Sequence, residues 1–523
     1  MAIQAKNPIM PGFYPDPSIC AVDGDYYLVN SSFAYFPGLP VMHSKDLVHF
    51  EQIGNVLDRV SQLPLDRAGV SRGLFAPTIR YHEGIFYVIC TNVSFGGNFV
   101  VTAENPEGPW SEPHYLEGAD GIDPSLFFDE DGKCYYIGTH PNPDGVKYDG
   151  DWYIYIQEVD IVNWKMVGEK HNVWNGAIKG IPWPEGPHLY KIGEYYYILH
   201  AEGGTGQMHA VSVARSKSVF GPYENNFGNP IFTHRHLGEQ YPVKYVGHAD
   251  LIQTPAGDWY LVALAVRPKE CFTTMGRETF MAKVVWEKGW PVVNPGVGIL
   301  TDLVDVNLPE WIPEKDPDSY TVRTNRKNCV PGSSRTYRFA EMKELGDEFM
   351  TLRGPLNERI HLESGVGLKL SFAEDKLTGD GLPSYLCIRQ QHHVFVFSAS
   401  LNTAGIKEND VAGIVLFQNE QFHLKVQTNG KKSAFILCEK GEDRVLAECP
   451  VSGEELTVEL SVKDLEATAF VYDESGKHGF DAAADVRNLS TEVAGGFVGC
   501  TMGVFAVGND KDTVCITKMS YQA

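Results

Sequence analysis

Short apolar and aromatic runs, separated by polar turns, set the texture of this chain. DGDYYLV, HEGIFYVI, DEDGKCYYIG, KIGEYYYIL and TPAGDWYLVAL each follow a Gly-containing turn and keep no 3.6-residue period. That pattern predicts β-strands and no long amphipathic helix. Each run is preceded by the same layout: a small or acidic residue, Pro or Ala, a polar residue and an apolar one. The five heads are Asp16-Pro17-Ser18-Ile19, Ala76-Pro77-Thr78-Ile79, Asp123-Pro124-Ser125-Leu126, Gly186-Pro187-His188-Leu189 and His248-Ala249-Asp250-Leu251, spaced 47 to 63 residues apart. A repeat of this size, with about four short strands per unit, predicts a five-bladed β-propeller. The first strand of each blade in such a fold lines the central channel. Asp16, Ala76, Asp123, Gly186 and His248 are therefore expected to converge on one rim.

After residue 300 the repeat stops. A Pro-rich, charged stretch from Pro309 to Ser319 reads as a linker, which divides the chain into residues 1–307, a linker over 308–319 and a second domain over 320–523. In the second domain GVGLKLSFA, HHVFVFSAS, DVAGIVLFQ, QFHLKVQTN, KSAFILCEK, ELTVELSVK, TAFVYDE, GGFVGCTMGVFAVG and DTVCITKMS alternate as strands. Their spacing predicts an antiparallel β-sandwich. The fold class is thus all-β, a propeller followed by a sandwich.

Composition narrows the partners. Aromatic residues make up 12% of the chain, which suits sugar recognition by ring stacking. The formal net charge of −23 argues against nucleic acid or an anionic membrane, both of which call for a basic surface. Ten Cys occur without a CxxC pair, and Cys20, Cys90, Cys134 and Cys387 sit in apolar runs, as buried thiols do. The N-terminal MAIQAKNPIMPGF lacks a signal-peptide pattern and no apolar run approaches membrane-spanning length, so a cytoplasmic location is expected. A homo-oligomer is compatible with the sequence, which does not fix the oligomeric state.

The candidate chemistry lies at the repeat heads. Asp16, between Pro15 and Pro17, would by itself be a turn residue. Its recurrence as Asp123, and the presence of Glu185 one residue ahead of the fourth head, bring three carboxylates to one rim. Glycoside hydrolysis needs such a set: one carboxyl to protonate the leaving oxygen, another to act on water or the sugar, with environments that separate their pKa values.

The motifs GFYPDPSI, GIDPSLFFDEDGK and WPEGPHLYK resemble the three acidic signatures of glycoside hydrolase family 43. HSKDLVHFEQIG, FAPTIRYHEGIFYVI, VGHADLI and MGRETFMAKVVWEKGWPVVNPG extend the resemblance from about Asn7 to Leu300. It implies an inverting hydrolase in which Asp16 is the general base, Glu185 the general acid and Asp123 the group that tunes and orients the acid. It implies substrate contacts from Phe33, Phe75, Ala76, His248 and Arg277. Arg277 could otherwise pair with Glu278. Many relatives carry Trp at the position of Phe75, so the first subsite should differ in shape. The chemistry requires no cofactor, and His248 is a candidate calcium ligand in the channel. Trp183 and Trp290 are further aromatic candidates.

Family members with an appended sandwich are similar to β-xylosidases and α-L-arabinofuranosidases. The implied activity is exo-acting release of xylose or arabinofuranose from xylo-oligosaccharides or arabinoxylan fragments. In such relatives one sandwich loop closes the pocket, and the segments around Arg389, Gln390 and His392 and around Phe497 resemble those parts. The alternatives are a sugar-binding propeller without catalysis and a retaining, fructan-acting five-bladed hydrolase.

Overall fold

A computed structural model describes residues 2–311, 332, 334–355, 359–407, 409–508 and 512–523. The linker expected over 308–319 lies outside the described residues from 312 onward. Before it, the chain folds into five four-stranded antiparallel sheets, each built from one contiguous stretch. Their innermost strands are Ser18–Val22, Thr78–His82, Ile122–Phe128, Glu185–Ile192 and Lys244–Gln253. These five strands touch one another in cyclic order, the fifth returning to the first. The sheets are therefore the blades of a closed propeller, in agreement with the repeat.

Closure comes from side chains as well as backbone. Ser18 Oγ donates to Asp250 Oδ2 across the seam between the last and first blades at 2.7 Å, and Asn30 Nδ2 donates to Thr279 Oγ1 at 3.0 Å. Strand Ile3–Lys6 pairs with Leu303–Val306 and ties the chain start to the end of the last blade. The apolar core is divided into five wedges, one between each pair of neighbouring blades. Alternate residues of each blade feed the wedges on its two faces, as the two-residue period of a strand requires. Cys20, Cys90, Cys134 and Cys387 are buried free thiols, as expected.

The second half is a sandwich of two antiparallel sheets, of eight and six strands, over one large core. Every alternating segment read as a strand contributes one. Five strands escaped the pattern, Arg335–Arg338, Ile360–Glu363, Ser384–Arg389, Glu442–Pro450 and Gly476–Asp485. The last two are edge strands whose residues are largely exposed, so neither carries a clean apolar face. Among the described residues the one α-helix is a single turn, Thr491–Ala494, just ahead of Phe497.

The sandwich is docked on the propeller through a core of its own. Phe13, Phe33, Tyr35 and Val70 of the propeller pack with Leu352, Tyr385, Phe417, Val498 and Phe505 of the sandwich. Around it, Tyr35–Phe36 pairs with Thr351–Leu352 as a small two-stranded sheet, and Arg353 forms an ion pair with Glu420 while its Nε donates to Ala68 O at 2.6 Å. The same interface lies directly behind the rim where the repeat heads meet.

Candidate active site

Asp16, Asp123 and His248 adopt left-handed backbone angles, with φ of 52°, 53° and 46°, and Gly186 joins them at 55°. Positive φ is uncommon outside Gly and is tolerated best by short polar side chains, which matches the residues found here. In the third, fourth and fifth blades the inner strand also slips register at the head, between Ile122 and Ser125, Glu185 and His188, and Gly247 and Ala249. A bulge of this kind bends the strand and re-aims a side chain. Here it brings the head residues to the mouth of the channel.

They meet in a pocket of about 90 Å³. Its lining includes the three carboxylates and the five substrate contacts that the resemblance implies: Asp16, Asp123 and Glu185, with Phe33, Phe75, Ala76, His248 and Arg277. Three further residues complete the wall, Ile122, Thr205 and Phe497. Ile122 and Thr205 carried no signal in the sequence. Thr205 lies in a glycine-rich turn, and its hydroxyl is buried without a hydrogen-bond partner among the described residues, free to meet a ligand hydroxyl.

Asp16 is held from three sides. Arg277 Nη1 donates to Oδ1 at 2.8 Å and Nη2 to Oδ2 at 3.2 Å, while Ser31 Oγ donates to Oδ2 at 2.5 Å. Burial pushes the Asp16 carboxyl up, but Arg277, His248 and the Ser31 hydrogen bond outweigh it and hold its pKa below the ordinary value. Arg277 does not pair with Glu278, which is taken by Arg267 at 2.7 Å.

Glu185 has the opposite environment. It is half-buried on the pocket wall with no cation bonded to it among the described contacts. Burial, and then the charges of Asp123 and Asp16, drive its pKa well above the ordinary glutamate value against a smaller opposing pull from Arg277. Asp123 is anchored by the Gly186 backbone N–H at 3.1 Å. Its own pKa is raised by burial, with His248 pulling it down and Asp16 pushing it up. The pocket thus keeps one carboxyl ionised and favours a proton on another.

The cap comes from the other domain. Phe497 stacks on Phe33 with ring centroids 6.1 Å apart and meets Phe75 edge-on at 5.9 Å. The Arg277 guanidinium lies beside the stacked Phe33 and Phe497 rings, 5.7 Å and 5.5 Å from their centroids. Gly276 makes this approach possible, because a side chain there would strike the backbone of Gly499. The Phe497 N–H is tied back to Ser71 Oγ at 2.9 Å.

Arg389, Gln390 and His392 are not part of the pocket. Arg389 Nε donates to Phe13 O at 2.7 Å, Gln390 Nε2 to Thr274 Oγ1 at 3.3 Å, and His392 bonds Tyr521 within the sandwich. Two of the three therefore dock the domains rather than close the site. Trp183 sits against Gly150 and Gly204 beside the pocket. Trp290 lies elsewhere, in a surface hollow of about 520 Å³ that has no titratable side chain in its lining.

His248 does not fit a calcium cage made of side chains. Its nearest carboxylate oxygen, Asp16 Oδ1 at 3.9 Å, is already committed to Arg277. Among the described residues His248 belongs to no group of three His, Cys, Asp or Glu ligand atoms close enough to share an ion.

The sequence matches a family model described as glycosyl hydrolases family 43 over residues 5–291, and one described as the beta xylosidase C-terminal concanavalin A-like domain over residues 336–521. It is 50% identical to a xylosidase/arabinosidase of Butyrivibrio fibrisolvens over 98% of both chains. It is 37% identical to a non-reducing end alpha-L-arabinofuranosidase of Bacteroides ovatus over 96% of this chain and 91% of that one. The solved structure of a xylan beta-1,4-xylosidase from Bacillus halodurans superposes with a TM-score of 0.88 at 30% identity, covering 99% of this chain and all of the other.

Proposed function

This chain belongs to glycosyl hydrolases family 43 and is a glycoside hydrolase, and on that premise we propose that it removes terminal xylose or arabinofuranose from short xylan-derived chains by a single inverting displacement. The observation that carries this reading is the opposed environment of Asp16 and Glu185 in one pocket. Asp16, kept ionised by Arg277, takes the proton of the attacking water. Glu185, kept protonated by burial and by the charge of Asp123, gives its proton to the leaving glycosidic oxygen. Both proton transfers serve one oxocarbenium-like transition state. Asp123 touches neither water nor leaving group in this scheme. Its carboxylate, fixed by the Gly186 N–H, sustains the proton affinity of Glu185.

The pocket volume and its aromatic cap favour a single terminal residue over the middle of a polymer. Xylose and arabinofuranose present comparable reacting hydroxyls, so one pocket can serve both, and relatives named for each activity support that reading. Release of 4-nitrophenol from the aryl xyloside and the aryl arabinofuranoside tests the activity. NMR of the first-formed sugar tests the stereochemistry: inversion is expected, and a retained anomer would replace the single displacement by a covalent intermediate. Binding of both glycosides without turnover would reduce the domain to a sugar-binding propeller.

A further inference from the structure

The sandwich carries a second cluster of reactive side chains, far in sequence from the pocket. Strands Phe422–Thr428, Lys432–Glu439 and Glu442–Pro450 run side by side at one edge of the six-stranded sheet. Their register sets His423 opposite Cys438, and Cys438 opposite Asp443. Directly opposed residues share a face of a sheet. Leu424, Val426, Phe435 and Leu437 of these strands point into the sandwich core, so the trio occupies the other face. One ligand atom from each of the three lies within 4.8 Å of the other two.

We propose that His423, Cys438 and Asp443 form a site for one divalent cation of the zinc type. Imidazole, thiolate and carboxylate are the donors zinc accepts, and three protein ligands plus a water complete a tetrahedron. The sulfur selects against calcium and magnesium, which take oxygen. An independent feature points the same way. His423 is fully buried, yet its Nε2 has no hydrogen-bond partner among the described residues. Its Nδ1 lies 3.3 Å from the Asn419 carbonyl, which can only accept, so the ring proton is on Nδ1 and the Nε2 lone pair is free. A ligating histidine is oriented in this way, through its other nitrogen.

Protonation is compatible with binding. Burial lowers the pKa of His423 to about 4, so the imidazole is neutral near pH 7. Burial raises that of Cys438 to about 11, so the thiol gives up its proton to solvent as the metal–sulfur bond forms. Asp443 is exposed and provides the entry side. Lys425 Nζ now donates to Asp443 Oδ2 at 2.6 Å, leaving Oδ1 for a cation or yielding its place to one. A bound ion would clip the exposed edge strand to its two buried neighbours. The Asn419 side chain also donates to Ala494 O at 3.1 Å, so the turn that orients His423 reaches the segment leading to Phe497.

Cobalt(II) titrated into the chelator-treated full-length protein tests the site through its thiolate charge-transfer band. The band should saturate at one equivalent, vanish in Cys438→Ser, and require at least tenfold more cobalt in Asp443→Asn. Hydrolysis of an aryl glycoside, which uses none of these residues, reports that each variant is folded. A missing band overturns the proposal. So does a band that survives Cys438→Ser, which would place the metal on the half-buried Cys271 or Cys449. Should Cys438→Ser not fold, Asp443→Asn decides alone, and unchanged cobalt affinity there rejects the site.

Discussion

The imidazole of His248 occupies the space that a β-carbon on Gly186 would need, its ring atoms 2.8 Å from where that carbon would stand. The relationship explains why the fourth repeat head is glycine and why its carboxylate is displaced to Glu185. Gly186 also donates to Asp123, so the two acidic groups and the histidine share one hinge point. Gly186→Ala should cost about 1–2 kcal/mol for the left-handed backbone alone. Pushing His248 aside should also disturb Asp123. We expect a lowered melting temperature together with at least a tenfold loss of kcat/KM, and an unchanged kcat/KM would show that the contact does not position the site.

Glu185→Ala removes the proposed proton donor. Hydrolysis of substrates with poor leaving groups, such as xylobiose, should fall by about 10²–10⁴-fold. An activated aryl glycoside needs little protonation and should lose far less. Equal losses on the two substrates would remove Glu185 from the acid role.

Asp16→Asn should be close to inactive on both substrates, because water activation is needed whatever the leaving group. The change is nearly isosteric, and Asn still accepts one hydrogen bond from Arg277, so folding should survive. Residual turnover above about 1% of wild type on the aryl glycoside would move the base elsewhere, given the usual size of general-base effects.

The pH profile of kcat/KM should be bell-shaped. On the acid side activity is lost as pH falls through the Asp16 pKa, which lies below the ordinary 3.8. On the alkaline side it is lost as pH rises through the Glu185 pKa, which lies well above the ordinary 4.5. Asp123→Asn removes a negative charge beside Glu185, so the alkaline limb should move to lower pH. Arg277→Met removes a positive charge that depresses both groups, so both limbs should move to higher pH. Stationary limbs in either variant would contradict the electrostatic roles given to Asp123 and Arg277.

Phe497→Ala takes away the cap without touching a carboxylate. The ring packs on Phe33 and Phe75 and lines the pocket, and losing its contact with the bound sugar, at about 0.5–1.5 kcal/mol for one aromatic contact, should raise KM roughly three- to tenfold. Because Phe497 also borders Arg277, kcat should fall by a smaller factor. A large fall in kcat with KM unchanged would mean that the ring acts on the base and not on the bound sugar.

The propeller was readable because its heads need unusual backbone angles at fixed intervals, and few residue types satisfy them. Asp16, Asp123, Gly186 and His248 repeat for that reason, and the pocket follows from their recurrence. Ile122 and Thr205 were not readable. An apolar residue and a hydroxyl acquire meaning here only from where the bulged strand and the glycine-rich turn put them. The docking role of Arg389 and Gln390 was hidden for a related reason: sequence adjacency to a lid-like segment does not say which side of the interface a long polar side chain takes. The edge strands Glu442–Pro450 and Gly476–Asp485 lacked alternation because solvent reaches much of both faces.

A pocket roofed by a residue from a second domain can admit a sugar chain only by its tip. Turnover on xylan fragments should therefore follow the molar number of chain ends and not the mass of polysaccharide. Cutting the fragments to half their length at constant mass would double the substrate available to the enzyme. Seen this way, Phe497 makes the enzyme dependent on whatever cleaves the polymer internally before it arrives.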